Sequence, residues 1–330
     1  MGASAPCVLG WGVIAAPGRG VEPLRAAAAR PAAAPLPADA ENAFTVPDSD
    51  PAAELGFRGL RPLSRASRLA CVAAADALKH PKPPPAARER RAVVLGTRWG
   101  SIEPLLGFER MIVREGPRLV NPAHFPNVVV NVHAGYLGIF FSMAGPNVTR
   151  CGPVAGLEAL GEASDLLSLD RADCVLAGGV DDLGPSLLAA LRGSDPPPGE
   201  GAAVLLLGRA GLQGHAPLAR LGGFYSAPAA SADDLANARR EAVGRALEYA
   251  GAAAGEVAVA WCTGADFPAT AGPGPAVVHR LDRVTGACGA ASGALAAAMA
   301  AADAADLAAV TMATAFAPEG AQCAAVMLSP

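Results

Sequence analysis

Short, almost continuously apolar segments alternate with longer amphipathic segments, and this alternation constrains the fold most. Residues 172–183, ADCVLAGGVDDL, and residues 201–210, GAAVLLLGRA, carry clear apolar runs. A strand has such a sequence when helices cover both of its faces, because neither face then meets water. Residues 64–80 and 233–252 instead space their apolar residues as an amphipathic helix does. The pattern predicts a layered α/β fold.

The predicted elements follow the same order twice along the chain. Strands are predicted at 7–16, 91–97, 172–183, 201–210, 218–227, 256–264, 307–316 and 323–329, and a further helix at 289–302. The Ala- and Pro-rich residues 23–55 are predicted to form a surface excursion, and residues 82–91 a linker. We therefore expect an N-terminal half, 1–210, with cap insertions and a C-terminal half, 211–330. The symmetry is one of architecture, without a residue-level repeat.

Charge and cysteine content exclude several classes of protein. Only 17% of the 330 residues are charged and the net charge is −4, which argues against nucleic acid as a partner. The seven cysteines show no zinc-site spacing, and we expect no metal and no cofactor. Most of them lie in apolar runs, which predicts buried free thiols in a reducing, cytoplasmic setting.

Two segments bear on targeting and membrane insertion. The N-terminus, MGASAPCVLGWGVIAAPG, has no positively charged region, so we do not interpret it as a signal peptide. The run at 284–302 is mostly Ala and Gly, and Asp303 and Asp306 follow it closely. A buried helix is the favoured interpretation, rather than a membrane span.

A strand-to-helix turn within residues 145–163, GPNVTRCGPVAGLEALGEA, raises the question of chemistry. Such a turn presents a nucleophile well, yet Cys151 precedes the helix that we predict to open on Pro153 and Val154. Its thiol would then project from the strand end, where a helix dipole need not lower its pKa. His124 and His133 are the histidines that folding could bring near. Cys151 is therefore either a displaced reactive thiol or, as we favour, a buried structural one.

The ordered segments of the chain, from residue 6 to residue 329, resemble the β-ketoacyl-ACP synthases. The likeness is carried by VLGWGVIAAPG, by NPAHFPNVVVNVHAGYLGIFFSMAGPNVT, by ADCVLAGGVDD, by GEGAAVLLL at 199–207 and by TGACGAASGALAAA at 285–298. The resemblance implies a thiolase-like fold, in which two pseudo-symmetric β/α halves form layers in the order αβαβα. It also implies a Claisen condensation carried out by one cysteine and two histidines beside an oxyanion hole.

At the positions that this chemistry requires, the matching residues are of the wrong type. The nucleophile is matched by Pro153 or by Val154, depending on where the alignment is anchored. The two histidines are matched by Trp261 and Ala287. The oxyanion amide is matched by Pro318, and a lysine by Asp282. A proline has no amide hydrogen to donate, and loss of one oxyanion donor costs about 3 kcal/mol of transition-state stabilisation. We therefore predict a chain without catalytic residues of the family's kind.

The run PVAGLEAL at 153–160 is similar to the chain-length factors, which are inert relatives in type II polyketide systems. That similarity implies an active ketosynthase as heterodimer partner and an acyl carrier protein as a second partner, in polyketide, polyene or fatty acid biosynthesis. The predicted interface residues, which ordinary core packing would explain equally well, are Tyr136, Phe140, Phe141, Met143 and Val148.

Three questions about partners and activity stay open. The arginines at 58, 61, 65 and 68 form either a basic edge for an acidic carrier or a solvated helix entrance, which we favour. The chain is alternatively an atypical acyltransferase or condensing enzyme that uses Cys151. A third possibility is a homodimer that binds an acyl chain without turnover.

Overall fold

The computed structural model of the protein describes residues 5–30, 42–48, 55, 63–79, 86–210, 216–270, 272–318 and 320–330. Its strands are β1 (Cys7–Ala15), β2 (Gly18–Arg19), β3 (Arg91–Thr97), β4 (Asn147–Cys151), β5 (Cys174–Asp181), β6 (Gly201–Gly208), β7 (Ala219–Ala229), β8 (Val257–Thr263), β9 (Val277–Arg280), β10 (Val310–Phe316) and β11 (Gly320–Leu328). Its α-helices are α1 (Val21–Ala28), α2 (Arg65–Ala77), α3 (Ile102–Glu115), α4 (Val132–Phe140), α5 (Ala155–Ser168), α6 (Pro185–Ala190), α7 (Leu235–Ala250), α8 (Asp282–Thr285) and α9 (Ala291–Leu307).

The strands are hydrogen-bonded in the order β4-β3-β5-β6-β1-β7-β11-β10-β8-β9, and β2 pairs with β1. From β4 to β1 the pairings are parallel, parallel, antiparallel and antiparallel. From β9 to β7 the same four pairings recur in the same order. A short antiparallel contact, Cys7 with Arg220 and Val8 with Ala219, joins the two sets of strands. One topology is thus used twice, while the proposed boundary at residue 210 stays a prediction.

Helices α5 and α9 lie between the two sets of strands. Helix α5 contacts β3 and β5 on one side and β7 and β11 on the other, and α9 contacts β5 and β6 as well as β8 and β10. Helices α2 and α4 cover the outer face of the first set, and α7 covers β7 and β11. Each strand set is therefore covered on both faces, which explains the almost continuous apolar runs.

Small residues make the close packing of the two central helices possible. Every residue of α9 from Ala291 to Ala304 is buried. A Cβ added at Gly156 of α5 would lie 2.1 Å from the carbonyl oxygen of Ala290. The segment at 284–302 thus supplies a buried helix, as predicted, and no described helix has the length and hydropathy to cross a membrane.

Several element boundaries differ from the sequence predictions. Helix α5 begins at Ala155 rather than at Pro153, because the Val154 carbonyl accepts the first helical hydrogen bonds, from the amides of Leu157 and Glu158. Strand β10 begins only at Val310, because α9 continues to Leu307. The predicted excursion at 23–55 includes most of helix α1, and its residues 31–41 and 49–54 lie outside the described part of the chain.

Candidate functional site

A cavity of about 320 Å³ opens where strands β3, β8 and β10 end and helices α5 and α9 begin. Pockets at the carboxyl ends of strands are common ligand sites in α/β proteins. Strand β8 contributes Thr263 and the following Gly264, β10 contributes Phe316, and the turn after β3 contributes Arg98 and Trp99. We regard this cavity as the candidate functional site.

Five of the positions that the sequence singled out lie together in this cavity. Pro153, Val154, Asp282, Ala287 and Pro318 all line it, although Pro153 and Pro318 are 165 positions apart in the chain. No cysteine and no histidine is among the described residues that line it. The cavity therefore contains neither a thiol to acylate nor an imidazole to activate one.

Trp261, the sixth of these positions, does not line the cavity. It is 1% exposed and belongs to the core between the layers. Its indole Nε1 donates a hydrogen bond to Asp303 Oδ2 at 2.7 Å, and its ring stacks on His279 with centroids 4.4 Å apart. Thr263, two residues further along the same face of β8, lines the cavity instead. The sequence signal that could have identified Thr263 is Gly264, which ends the strand with φ +78°.

Asp181 fixes the geometry around the cavity and was missed from sequence. Its buried carboxylate accepts hydrogen bonds from Thr97 Oγ1 at 2.8 Å, from the amides of Arg98 and Trp99 at 2.9 Å, and from the Ala290 amide at 2.7 Å. These bonds tie the end of β5 to the turn after β3 and to the start of α9. Burial raises the pKa of Asp181 to about 6, although its hydrogen bonds favour the charged form.

Asp282, which the resemblance matched to a lysine, lies at the cavity wall with its charge neutralised. Its Oδ2 is 2.7 Å from Arg280 Nη2 and accepts a hydrogen bond from the Gly264 amide at 3.1 Å. The Thr263 and Ser292 hydroxyls are engaged too, since Thr263 donates to the Thr314 carbonyl and Ser292 accepts from the Cys288 amide. Among the described residues, no group of three or more His, Cys, Asp or Glu side chains could hold a metal ion.

Cys151 is exposed, which corrects our prediction of a buried thiol at this position. It is the last residue of β4, as expected, but it does not line the cavity, and its side chain makes no hydrogen bond within the described part of the chain. Its neighbour Arg150 is directed to Glu158 and Glu162, each at 3.5 Å, and forms no ion pair with the thiol. The exposure follows from the position of Cys151 at the end of an edge strand.

The other six cysteines are buried, as predicted. Burial raises the pKa of the Cys71 and Cys323 thiols to about 12, and that of Cys174 and Cys262 to about 11. It also raises the pKa values of the Cys7 and Cys288 thiols. Thiols of this kind stay protonated at neutral pH and act as small apolar side chains.

The two histidines considered as partners for Cys151 are engaged elsewhere or exposed. His133 is buried, its Nδ1 accepts from Ser67 Oγ at 2.8 Å, and its Nε2 donates to the Gly100 carbonyl at 3.2 Å. This pairing defines a neutral imidazole, whose pKa burial lowers to about 4. His124 is exposed in a short 3₁₀ turn. Neither histidine makes a hydrogen bond to the Cys151 thiol.

The predicted interface residues lie on α4, on the turn after it and on β4. Met143 is 4% exposed and belongs to the core of the chain itself. Tyr136 stacks on Phe140 with ring centroids 5.8 Å apart, and both they and Phe141 are half-buried against that core. Val148 is half-buried on β4. Their role in an interface stays a prediction.

Arg65 does not belong to a free basic edge. Its guanidinium lies 2.5 Å from Glu200, which is fully buried, and 2.6 Å from Asp48, and these carboxylates raise its pKa. The buried Glu200 comes from the GEGA segment, so the pair ties α2 to the start of β6. Arg68 is half-buried, and positions 58 and 61 lie outside the described residues.

Comparison with known proteins defines the class. The structure of the ishigamide ketosynthase/chain length factor superposes with a TM-score of 0.81 and 29% identity, covering 99% of both chains. The structure of a type II polyketide acyl carrier protein in complex with its ketosynthase superposes with a TM-score of 0.80 and 18% identity over 100% of both chains. At this identity the similarity shows the fold alone. The fold is therefore the thiolase-like ketosynthase fold, as predicted.

The chain belongs to the β-ketoacyl synthase family. The family's N-terminal domain matches residues 27–194, about half of the chain. The 3-oxoacyl-[acyl-carrier-protein] synthase 2 of Vibrio cholerae is 33% identical over 95 residues, which are 28% of this chain and 22% of that protein. The match thus spans only about a fifth of the length of this curated relative.

Proposed function

We propose that this protein is a non-catalytic ketosynthase-like subunit of the chain-length-factor type. It would pair with an active ketosynthase in type II polyketide, polyene or fatty acid biosynthesis. One observation carries the proposal: the described residues that line the cavity at the strand ends include Pro153, Val154, Ala287 and Pro318, and no cysteine or histidine.

The chemistry of condensation explains why this lining matters. The reaction requires a thiolate that takes the acyl group and amide N–H groups that bind the developing oxyanion. Neither Pro153 nor Val154 has a nucleophilic atom, and neither Pro153 nor Pro318 has an amide hydrogen. Thr263 and Ser292 offer only hydroxyls, both already hydrogen-bonded within the chain. The cavity thus supports shaping or binding of a chain rather than its covalent capture.

The surface supports a partner subunit. From 102 to 131 no residue is buried, although α3 and the segment after it are rich in Leu, Ile, Val and Phe. Val113 is 85% exposed, and Ile139 on neighbouring α4 is 72% exposed. Strand β4 pairs only with β3 within the described part of the chain, so its other edge is open. A second subunit would cover both the apolar surface and the open edge.

Co-expression with a ketosynthase that has an intact cysteine and both histidines tests this proposal. We expect a stable heterodimer on size-exclusion chromatography. Ile139→Glu should weaken its assembly at least about tenfold, because a buried carboxylate without a partner is costly. Leu169→Glu, at a side chain that is equally exposed (71%) at the end of α5, is the matched control and should assemble normally. Separate homodimers, or equal assembly of both variants, would contradict the proposal.

The enzymatic alternative is tested on the purified chain. Incubation with an acyl carrier protein thioester should leave its mass unchanged, because no general base among the described residues makes a hydrogen bond to the free thiol of Cys151. Acylation of Cys151, lost in Cys151→Ala, would instead support the atypical acyltransferase.

A further inference from the structure

We propose that the strand-end cavity binds an amphipathic anion, a short apolar chain that ends in a carboxylate or a phosphate, with Arg98 as its cationic anchor. The bound species would be a free anion, held without a covalent bond. The inference concerns this chain alone and stands whether or not the chain pairs with a ketosynthase.

Arg98 supplies an available cation at the cavity. Its guanidinium carbon lies 4.6 Å from the centre of the Trp99 ring, and both side chains line the cavity. The stacking holds the guanidinium in place. Within the described part of the chain, the Arg98 side chain makes no hydrogen bond or ion pair, while its backbone amide binds Asp181. Its donors therefore remain available for a ligand.

Among the described residues that line the cavity, Arg98 is the cation without an ion-pair partner. Asp282 is neutralised by Arg280 at 2.7 Å. Asp195 lines the cavity too, but it is exposed and has no ion-pair partner among the described residues. A carboxylate or phosphate can take a two-pronged contact with the planar guanidinium of Arg98, which is exposed and therefore accessible to a ligand.

The walls of the cavity suit an apolar chain. Four of the lining residues are prolines, which offer no amide hydrogen: Pro153, Pro196, Pro198 and Pro318. The amides of Gly264 and Ala287 are already donated to Asp282 and to the Pro197 carbonyl. Val154, Ala315 and Phe316 add apolar surface. A polar chain would replace few of its hydrogen bonds to water here, whereas an apolar chain has none to lose.

Size limits the ligand to a short chain. The cavity of about 320 Å³ lies at the lower end of the roughly 300–1,000 Å³ of small-molecule sites. An eight-carbon tail is therefore a reasonable probe. The two headgroups share the chemistry that Arg98 recognises, so the experiment must separate them.

Isothermal titration of the purified full chain with sodium octanoate, octyl phosphate and 1-octanol tests the inference. We expect at least one of the two anions to bind about tenfold or more tightly than octanol, as a charge-assisted contact implies. The anion that binds more tightly identifies the headgroup. Arg98→Gln should abolish the difference from octanol, and Arg98→Lys should retain part of it. Asp195→Asn, the matched charge control, should bind the anion equally or more tightly.

A second variant locates the tail. Ala287→Leu places additional carbon atoms in the cavity and should weaken the binding of all three ligands to a similar extent. Equal binding of octanol and both anions, unchanged anion binding in Arg98→Gln, or no binding to the wild-type chain would each overturn the inference. None of these results bears on heterodimer assembly, which the Ile139→Glu comparison measures separately.

Discussion

The chemistry of single residues in this protein depends on their burial and on their hydrogen-bond partners rather than on their residue type. Six of the seven cysteines are buried in the core with raised thiol pKa values, whereas Cys151 is exposed at the end of an edge strand. His133 is held neutral between Ser67 Oγ and the Gly100 carbonyl.

Thiol accessibility should distinguish Cys151 from the other cysteines. A thiol reagent such as iodoacetamide should modify one cysteine per native chain quickly, because the other six are shielded from solvent. Peptide mapping should identify Cys151, and Cys151→Ala should remove the fast phase while the melting temperature stays unchanged. Rapid modification of two or more thiols in the native protein would show that the buried set is more open than the structure indicates.

The stability of the folded state should depend on pH through His133. Burial lowers the pKa of His133 to about 4 from its ordinary value of 6.5, so the folded state binds this proton less readily than the unfolded state. The stabilising effect of the neutral imidazole is complete above pH 6.5 and is lost as the pH falls toward 4. Between pH 7 and pH 5 the loss amounts to about 2 kcal/mol.

Urea unfolding of the wild type and His133→Gln at both pH values measures this loss. Comparison with the variant is needed because burial raises the pKa of Asp181 and Asp182 to about 6, and these carboxyls contribute with the opposite sign over the same range. The difference in the free energy of unfolding between the wild type and His133→Gln should be smaller at pH 5 than at pH 7. His124→Gln, at an exposed histidine, should show the same pH dependence of stability as the wild type. A difference independent of pH would contradict the prediction.

At the scale of elements, the approach of α5 to the start of α9 sets the cavity. Gly156 on α5 faces the carbonyl of Ala290 so closely that no side chain fits between them. Asp181 accepts a hydrogen bond from the amide of that same Ala290. Helix packing and one buried carboxylate therefore fix the two helix starts that line the cavity.

Gly156→Ala should reveal how tight this crossing is. The added Cβ would lie 2.1 Å from the Ala290 oxygen, so the helices must separate, and we expect a loss of stability of about 1–3 kcal/mol. Gly244→Ala on α7 is the control, since a Cβ there meets nothing within 4 Å and should stabilise the helix by about 0.5–1 kcal/mol. Thermal unfolding measures both, and equal effects would argue against a close crossing.

The whole molecule is two copies of one topology around a shared interior. Among the described residues, strand pairing between the two sets is short, with Cys7 opposite Arg220 and Val8 opposite Ala219, yet α5 and α9 each contact both sets. Neither set can bury its inner face without these helices. Unfolding one half would thus expose the core of the other.

Cooperativity should follow from this shared interior. The three tryptophans are Trp11 in the first strand set, Trp99 beside the cavity and Trp261 against α9, so fluorescence reports on both halves. We expect the fluorescence and far-ultraviolet circular dichroism transitions in urea to coincide. Phe substitution at Trp11 or Trp261 assigns the signal to one half, and separate midpoints would show that the halves unfold independently.

What the sequence determined by itself was local. Apolar runs located β3, β5 and β6, Ser64 marked the cap of α2, which accepts a hydrogen bond from the Ser67 amide, and Cys151 was placed ahead of a helix. These features follow from the backbone geometry of neighbouring residues, which periodicity and capping chemistry report directly. The family likeness placed five of the cavity residues, because their positions follow from the order of strands and helices.

Only the tertiary structure decided which side chains meet. It paired Arg65 with Glu200, placed Thr263 rather than Trp261 at the cavity, exposed Cys151, and left Arg98 beside Trp99 without an ionic partner among the described residues. Each of these outcomes depends on strand order and burial between segments distant along the chain. A sequence pattern records neighbours within a few residues, and so it carries no signal for contacts of this range.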